Sequence, residues 1–305
     1  MKGKKTMNKH NFYANLHTHS TYSDGGFSPK ELVKAAKEEG YGAIAITDHD
    51  TTAAYSEIQS ECEKEGLEYI FGTEFSSQSK LLNGGSLHII GFHFDPEYAP
   101  LKKHLEDMCI RETDMTHALF DRGVRLGLIK GIEWEEVLQY NKNTAFICNE
   151  QVFRAMKHKG LVEWVDYFGW FRKSLFEKKH RDEVLPSRAY KQEHEVIELI
   201  HDAGGIAIVA HPHNQLCHME ALIEMGIEGL EVWHPLMTDE EKIQALKLAY
   251  DKSLYISGGS NHSGYCSGLY KRYHNISECP YYKPHLSFGT TKEYFEEIKN
   301  RELKR

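Results

Sequence analysis

No apolar run in this 305-residue sequence approaches the ~18–20 residues that a membrane span requires. No C-x-x-C pair occurs among the six cysteines (Cys62, Cys109, Cys148, Cys217, Cys266, Cys279), and no secretory apolar segment precedes them. Free thiols in a reducing cytoplasm are therefore expected. Positive charge is in deficit: the formal net charge of −8 argues against a surface built for the backbone of duplex nucleic acid. An acidic chain can still take an anionic substrate if bound cations supply the local positive charge. Internal repeats, low-complexity tracts and Pro/Gly-rich linkers are absent too, which excludes a solenoid and a tethered module. There is no G-x-S-x-G, and no cysteine has a convincing base neighbour, so no covalent nucleophile suggests itself. The basic opening Met1-Lys2-Gly3-Lys4-Lys5 leads into no apolar stretch and reads as a loose leader, with Met7 as an alternative start.

What the chain has in excess is histidine, 19 residues. His10, His104, His117, His158, His180 and His218 read as surface scatter; the others fall in a pattern. Short aliphatic and β-branched runs (residues 12–17, 42–47, 68–72, 87–94, 205–210, 229–233 and 254–257) alternate with amphipathic stretches. Ser28-Pro29-Lys30-Glu31 is a capping box with Pro at the first helical position, and Gly40 is placed to end that helix. Further helices are expected over 186–203, 239–251 and 292–304. Such alternation predicts parallel βαβ units. Runs such as Gly42-Ala43-Ile44-Ala45-Ile46 are apolar on both faces, as in a covered parallel sheet. A barrel and a doubly wound sheet both fit, and the site residues favour the barrel. Residues 101–186, helix-rich and aromatic-heavy, read as an insertion capping a barrel made of 10–100 and 187–305.

The expected strand ends carry the chemistry. Asn15-Leu16-His17-Thr18-His19 sets two imidazoles on one side of a strand, because residues i and i+2 face the same way. The next ends read Thr47-Asp48-His49-Asp50, Gly72-Thr73-Glu74, Leu87-His88, Ala210-His211-Pro212-His213 and Gly259-Ser260-Asn261-His262. Almost every one delivers a nitrogen or oxygen ligand, while the intervening helices mostly do not. In α/β barrels all strand C-termini open on one face, where active sites form. About five imidazoles with several carboxylates suit Zn²⁺, Mn²⁺ or Fe²⁺ rather than Ca²⁺ or Mg²⁺, and exceed what one ion uses. Two or three divalent ions are expected, with Glu74 as a natural bridge. Asp24, in the turn Tyr22-Ser23-Asp24-Gly25-Gly26, is either a further ligand or a turn residue.

These motifs, in this order from residue 15 to about 264, resemble the PHP (polymerase and histidinol phosphatase) superfamily of metal-dependent phosphoesterases. The resemblance implies a distorted (β/α)7 barrel with up to three ions at the strand C-termini. It implies one ion at His17 and His19, Glu74 bridging to a second at His88 and His211, and Asp24 with His49 serving a third. The insertion resembles the cap of the subgroup acting on nucleotides and short oligonucleotides. Two departures stand out. The family's closing G-S-D-x-H-G reads Gly259-Ser260-Asn261-His262-Ser263-Gly264 here, so Asn261 offers a carbonyl oxygen without charge and the histidine, His262, comes one place early. The cap motif R-P-H-I-A-R reads Asn149-Glu150-Gln151-Val152-Phe153-Arg154, which keeps only Arg154 as a phosphate contact. Arg188, Lys191 or Arg172 could compensate.

Such a site supports hydrolysis by metal-activated water, with positioning and electrostatics carrying most of the catalysis. His213 and His262 are the candidate general acids. The expected substrate is a small phosphorylated metabolite, a nucleotide or a short oligonucleotide. Two rivals remain: a metal hydrolase of another bond, in the manner of amidohydrolases, and a degenerate binding protein that has lost a catalytic ion. No motif specifies an oligomeric state.

Overall fold

In the computed structural model, the described residues are 11–184, 190–261 and 288–303. The basic leader, Arg188, His262, Ser263, Cys266 and Cys279 lie outside them. Helix α1 (Pro29–Glu39) shows how closely local chemistry sets an element. Ser28 Oγ accepts from Glu31 N, the Glu31 carboxylate accepts from Ser28 N, and Gly40 closes the helix at φ 92°. Its buried stripe Leu32, Val33 and Ala36 packs with Ile44, Ile46 and Ile58 against α2 (Tyr55–Glu65).

The strands form two sheets. In the first, β1 (Ala14–Asn15), β2 (Ala43–Ile44) and β3 (Glu68–Tyr69) are parallel. In the second, β4 (Gly72–Ser79), β5 (Gly85–Phe92), β6 (Ile206–Val209), β7 (Gly229–Trp233) and β8 (Tyr255–Gly258) lie in sequence order. Backbone bonds join the sheets at both edges: Leu16 N donates to Gly258 O at 3.2 Å, and Glu74 N donates to Thr47 O at 3.2 Å. The architecture is mixed α/β, with parallel strands and surrounding helices as expected. One part differs: β4 pairs antiparallel with β5, and β5 with β6. The five residues 80–84 are too few for the crossover a parallel pair needs, so β4 and β5 make a hairpin.

Between β5 and β6 the chain is helical. α3 (Ala99–Arg125) is followed by α4 (Trp134–Tyr140), α5 (Asn149–His158), α6 (Trp164–Asp166), a π-helical stretch (Tyr167–Phe176) and α7 (Lys178–Val184). α3 serves two cores. Leu101 and Leu105 pack with strand residues such as Phe75 and Val209, whereas Met115, Leu119 and Phe120 pack with Phe153, Tyr167 and Phe171 in a separate cluster. His104, read above as surface scatter, is buried on this helix, because it shares the apolar stripe of Leu101, Leu105 and Met108. α8 (Glu193–Asp202), α9 (Met219–Glu224), α10 (Asp239–Lys252) and α11 (Lys292–Asn300) complete the fold. α8 begins at Glu193, later than the 186 expected. Cys62, Cys109, Cys148 and Cys217 are free thiols. Among the described residues no helix is long and apolar enough to cross a membrane.

Candidate metal centre

Two close approaches bring the H-x-H segment into place. A Cβ at Gly259 would stand 2.4 Å from His17 N, and one at Gly25 would stand 2.2 Å from His19 O, so neither position can carry a side chain without backbone movement. The side chain of Asn15 then pins the end of β8, accepting from Ser260 N at 3.0 Å and donating to Ser260 Oγ at 2.8 Å. Asp48 pins the other side: its buried carboxylate accepts from Ser20 N at 2.7 Å, from Ser20 Oγ at 2.6 Å and from Ser23 Oγ. Burial pushes the Asp48 carboxyl up from its ordinary range, against the hydrogen bonds from Ser20 and Ser23.

At the centre is Glu74, fully buried on β4. Its Oε2 lies 3.2 Å from His17 Nε2, 3.2 Å from His19 Nε2 and 3.3 Å from His49 Nδ1. Its Oε1 lies 3.0 Å from His88 Nδ1 and 2.9 Å from His211 Nε2. Asp24 Oδ1 reaches His19 Nδ1 at 3.6 Å on the outer side. Thus His17, His19, Asp24, His49, Glu74, His88 and His211 come together. Asp50 (φ 49°), His211 (φ 33°) and, one residue past Ser260, Asn261 (φ 47°) hold left-handed backbone. Such conformations are costly for L side chains and concentrate at functional sites.

Burial and the carboxylates pull the rings of the cluster in opposite directions. Burial opposes charge on His17, yet Glu231 and Glu74 push its pKa up to about 10. His19 and His88 are also raised, against the effect of burial, chiefly by Asp24 and Glu74 respectively. Burial drives His49 well below the ordinary imidazole range. Burial would raise Glu74, but the imidazoles of His17, His49 and His88 hold it well below the carboxylate range. All five rings face the single carboxylate of Glu74, and divalent cations would use the same ring lone pairs without protons. His19 Nδ1 and His49 Nδ1 are buried and make no hydrogen bond. The sets His17–His19–Glu74, His19–Asp24–His49 and His49–Glu74–His88 each bring ligand atoms within 4.8 Å of one another. The donor set therefore fits divalent metal ions.

Arg154, buried on α5, donates from Nη1 to Asp24 O at 2.9 Å. His213 is bound to α10 instead of the cluster, with Nδ1 2.9 Å from Glu241 Oε2. Asn261 follows Ser260 directly at the end of β8; Arg188 and His262 lie outside the described residues. Sequence reasoning passed over Glu231 and His234. Both are fully buried; Glu231 Oε2 lies 2.9 Å from His17 Nδ1, and the His234 ring lies 5.7 Å from that of His17 and 5.1 Å from that of His211. The available signal was a lone carboxylate inside the apolar run Gly229-Leu230-Glu231-Val232-Trp233.

Comparison with known proteins places this geometry in a lineage. The chain is 29% identical over 207 residues to a 5'-3' exoribonuclease of Haemophilus influenzae, covering 65% of this chain and 68% of that protein. It is 26% identical to the phosphoribosyl 1,2-cyclic phosphate 1,2-diphosphodiesterase of Eggerthella lenta, covering 82% of this chain and 93% of that one. A solved structure from Bifidobacterium adolescentis, assigned as a metal-dependent phosphoesterase, superposes with a TM-score of 0.72 at 26% identity, over 95% of this chain and 96% of its own. The PHP domain model matches residues 15–302, a span that contains every residue of the Glu74 cluster, and the chain belongs to the PHP domain family.

Proposed function

We propose that this protein is a metal-dependent phosphoesterase that hydrolyses a small phosphorylated metabolite, a nucleotide or a short oligonucleotide in the cytoplasm. The observation that carries the reading is the sharing of Glu74: one oxygen faces His17, His19 and His49, and the other faces His88 and His211. That division suits a carboxylate bridging two ions, with Asp24, His49 and Asn261 available to a third. The ions would be Mn²⁺, Zn²⁺ or Fe²⁺. When bound, such cations activate water and offset the charge that builds on a phosphoryl group.

The chain's own residues do the rest. His17, His19, His88 and His211 would hold the ions together with Glu74, and the hydrogen-bonded Asp48 keeps the H-x-H loop in place. Arg154 brings a guanidinium to the Asp24 edge of the centre, where a substrate phosphate would lie. His213, its Nδ1 held by Glu241, is our candidate for delivering a proton to the leaving oxygen, with His262 as the other. We read residues 101–186 as a cap over the site, with Arg188 at its boundary. The two sheets then form one distorted (β/α)7 barrel from 10–100 and 187–305, a reading supported by the backbone bonds at both sheet edges.

Release of inorganic phosphate from nucleotide and sugar phosphate monoesters, and of the freed alcohol or nucleotide from diesters, with Mn²⁺ supplied at two pH values, tests the reading. Turnover that disappears after chelation and returns with Mn²⁺ is expected. Absence of turnover on every mono- and diester would overturn it.

A further inference from the structure

We infer that Glu231, in the middle of β7, is a positioning residue that uses one oxygen to orient two histidines on opposite sides of the Glu74 bridge, an inference that rests on the metal-site reading above. Glu231 Oε2 lies 2.9 Å from His17 Nδ1 and accepts from His211 N at 2.8 Å. A carboxylate has no hydrogen to give, so the His17 nitrogen must be the donor. That bond fixes a proton on Nδ1, so that Nε2, 3.2 Å from Glu74 Oε2, is the atom that would offer a lone pair to a bound cation. The second bond acts on backbone. His211 sits at φ 33°, a conformation that L side chains rarely adopt, and the hydrogen bond to its N–H helps keep it there. The His211 ring thereby reaches Glu74 Oε1 at 2.9 Å. One carboxylate on β7 thus sets a ligand at the end of β1 and another past the end of β6. Ligating histidines usually give their second ring N–H to such a group, which fixes the tautomer and raises the basicity of the ligand.

Burying a carboxylate is costly unless it is paired; in the fully buried Glu231 the pairing falls on Oε2, while Oε1 makes no hydrogen bond among the described residues. His17, Glu231 and His234 also bring donor atoms within 4.8 Å of one another; Leu236 N donates to His234 Nδ1 at 3.1 Å, and His234 Nε2 makes no hydrogen bond among the described residues. The sharing of Glu231 Oε2 between His17 Nδ1 and His211 N favours the positioning role, and an ion held by Glu231 itself would be lost singly when that residue is replaced.

Co²⁺ binding to the full chain tests the inference through its visible spectrum and a competing chelator. Glu231→Gln is nearly isosteric and keeps an accepting oxygen without the charge; Glu231→Ala removes both. Co²⁺ affinity is expected to fall about 10-fold in Glu231→Gln and about 100-fold in Glu231→Ala, with altered ligand-field bands. The metal-free Glu231→Gln protein should melt like the parent, so it decides the matter even if Glu231→Ala does not fold. Parent-like affinity and spectrum in Glu231→Gln would overturn the positioning role. So would the loss of one bound ion with the others held at parental affinity, since Glu231 would then be a ligand in its own right. If the parent itself bound no Co²⁺, the metal-site reading and this inference would fall together. If it bound Co²⁺, lost affinity on substitution, yet cleaved no phosphate ester, only the phosphoesterase reading would fall.

Discussion

At Glu74, five imidazole nitrogens lie between 2.9 and 3.3 Å from two carboxylate oxygens, so the charge there cannot be removed without consequences for all of them. Glu74→Gln would turn one oxygen into an N–H₂ donor facing rings that must present lone pairs. Activity should fall by more than the ~10–100-fold typical of outer positions, with ion content reduced to less than half, as read by elemental analysis. Retained activity would exclude Glu74 as the bridge. Most of these candidate ligands were legible in the sequence because they close an apolar run, and His88 because it opens one, where a polar side chain has no packing role. Glu231 was not, because mid-strand positions are read as core. His104 was misread for the opposite reason: the Leu101, Leu105 and Met108 stripe around it was visible, but the residue type suggested surface. Its burial has a measurable effect. Desolvation, with Lys191 and Arg111 nearby, lowers His104 to about 4 from an ordinary value of 6.5. The unfolded chain therefore binds more protons than the folded one below about pH 6.5, and stability is lost as pH falls from there towards 4. His104→Leu should narrow the gap between melting temperatures at pH 7 and pH 5. An unchanged gap would show that His104 does not titrate in isolation.

Among the elements, α5 has the most direct hold on the metal loop. Besides the bond from Arg154 to Asp24 O, Gln151 Nε2 donates to Ser23 O, and just ahead of the helix Ala145 N donates to Tyr22 O at 2.9 Å. The loop bearing Asp24 is therefore tied to the helical region by three backbone carbonyls. Arg154→Ala should weaken binding at the His19–Asp24–His49 edge and raise KM more than it lowers kcat, since the change touches loop placement and the substrate side together. Ion stoichiometry and steady-state kinetics unchanged from the parent would remove Arg154 from the site. The motif Asn149-Glu150-Gln151-Val152-Phe153-Arg154 marked this helix in the sequence, but its docking onto the 22–24 carbonyls carries no sequence signature. The strand β4 was hidden for a related reason. Gly72-Thr73-Glu74-Phe75-Ser76-Ser77-Gln78-Ser79 lacks β-branched density, and its serines are held by specific partners: Ser77 Oγ donates to Leu87 O at 2.7 Å and Ser79 Oγ to Glu193 Oε1 at 3.1 Å. Tertiary bonds there outweigh weak strand propensity.

Over the whole molecule, the candidate ligands come from chain segments far apart in sequence: His17 and His19 after β1, His49 after β2, Glu74 on β4, His88 on β5 and His211 after β6. Both sheets thus contribute to one centre, and bound ions would join elements that the backbone links by a few hydrogen bonds at the sheet margins. An ion that binds only the folded chain stabilises it by mass action, by about 2.7 kcal/mol at 100 times its Kd for a single site. Two ions on one bridge would add to this. The helical region has its own core of Leu119, Phe120, Phe153, Tyr167 and Phe171, and no residue of that core is a candidate ligand. Chelation should therefore lower the melting temperature chiefly through the strands, and Mn²⁺ should restore it in proportion to the logarithm of its concentration. Phe153→Ala, which opens a cavity in the separate core at a cost of about 3–5 kcal/mol, should destabilise the protein while leaving the Mn²⁺-dependent increment intact. Glu74→Gln should do the reverse, melting at a temperature indifferent to added Mn²⁺. Differential scanning calorimetry of the parent and the two variants, with and without Mn²⁺, checks both. An increment lost in Phe153→Ala would show that the helical core and the ion centre unfold as one cooperative unit and not as two.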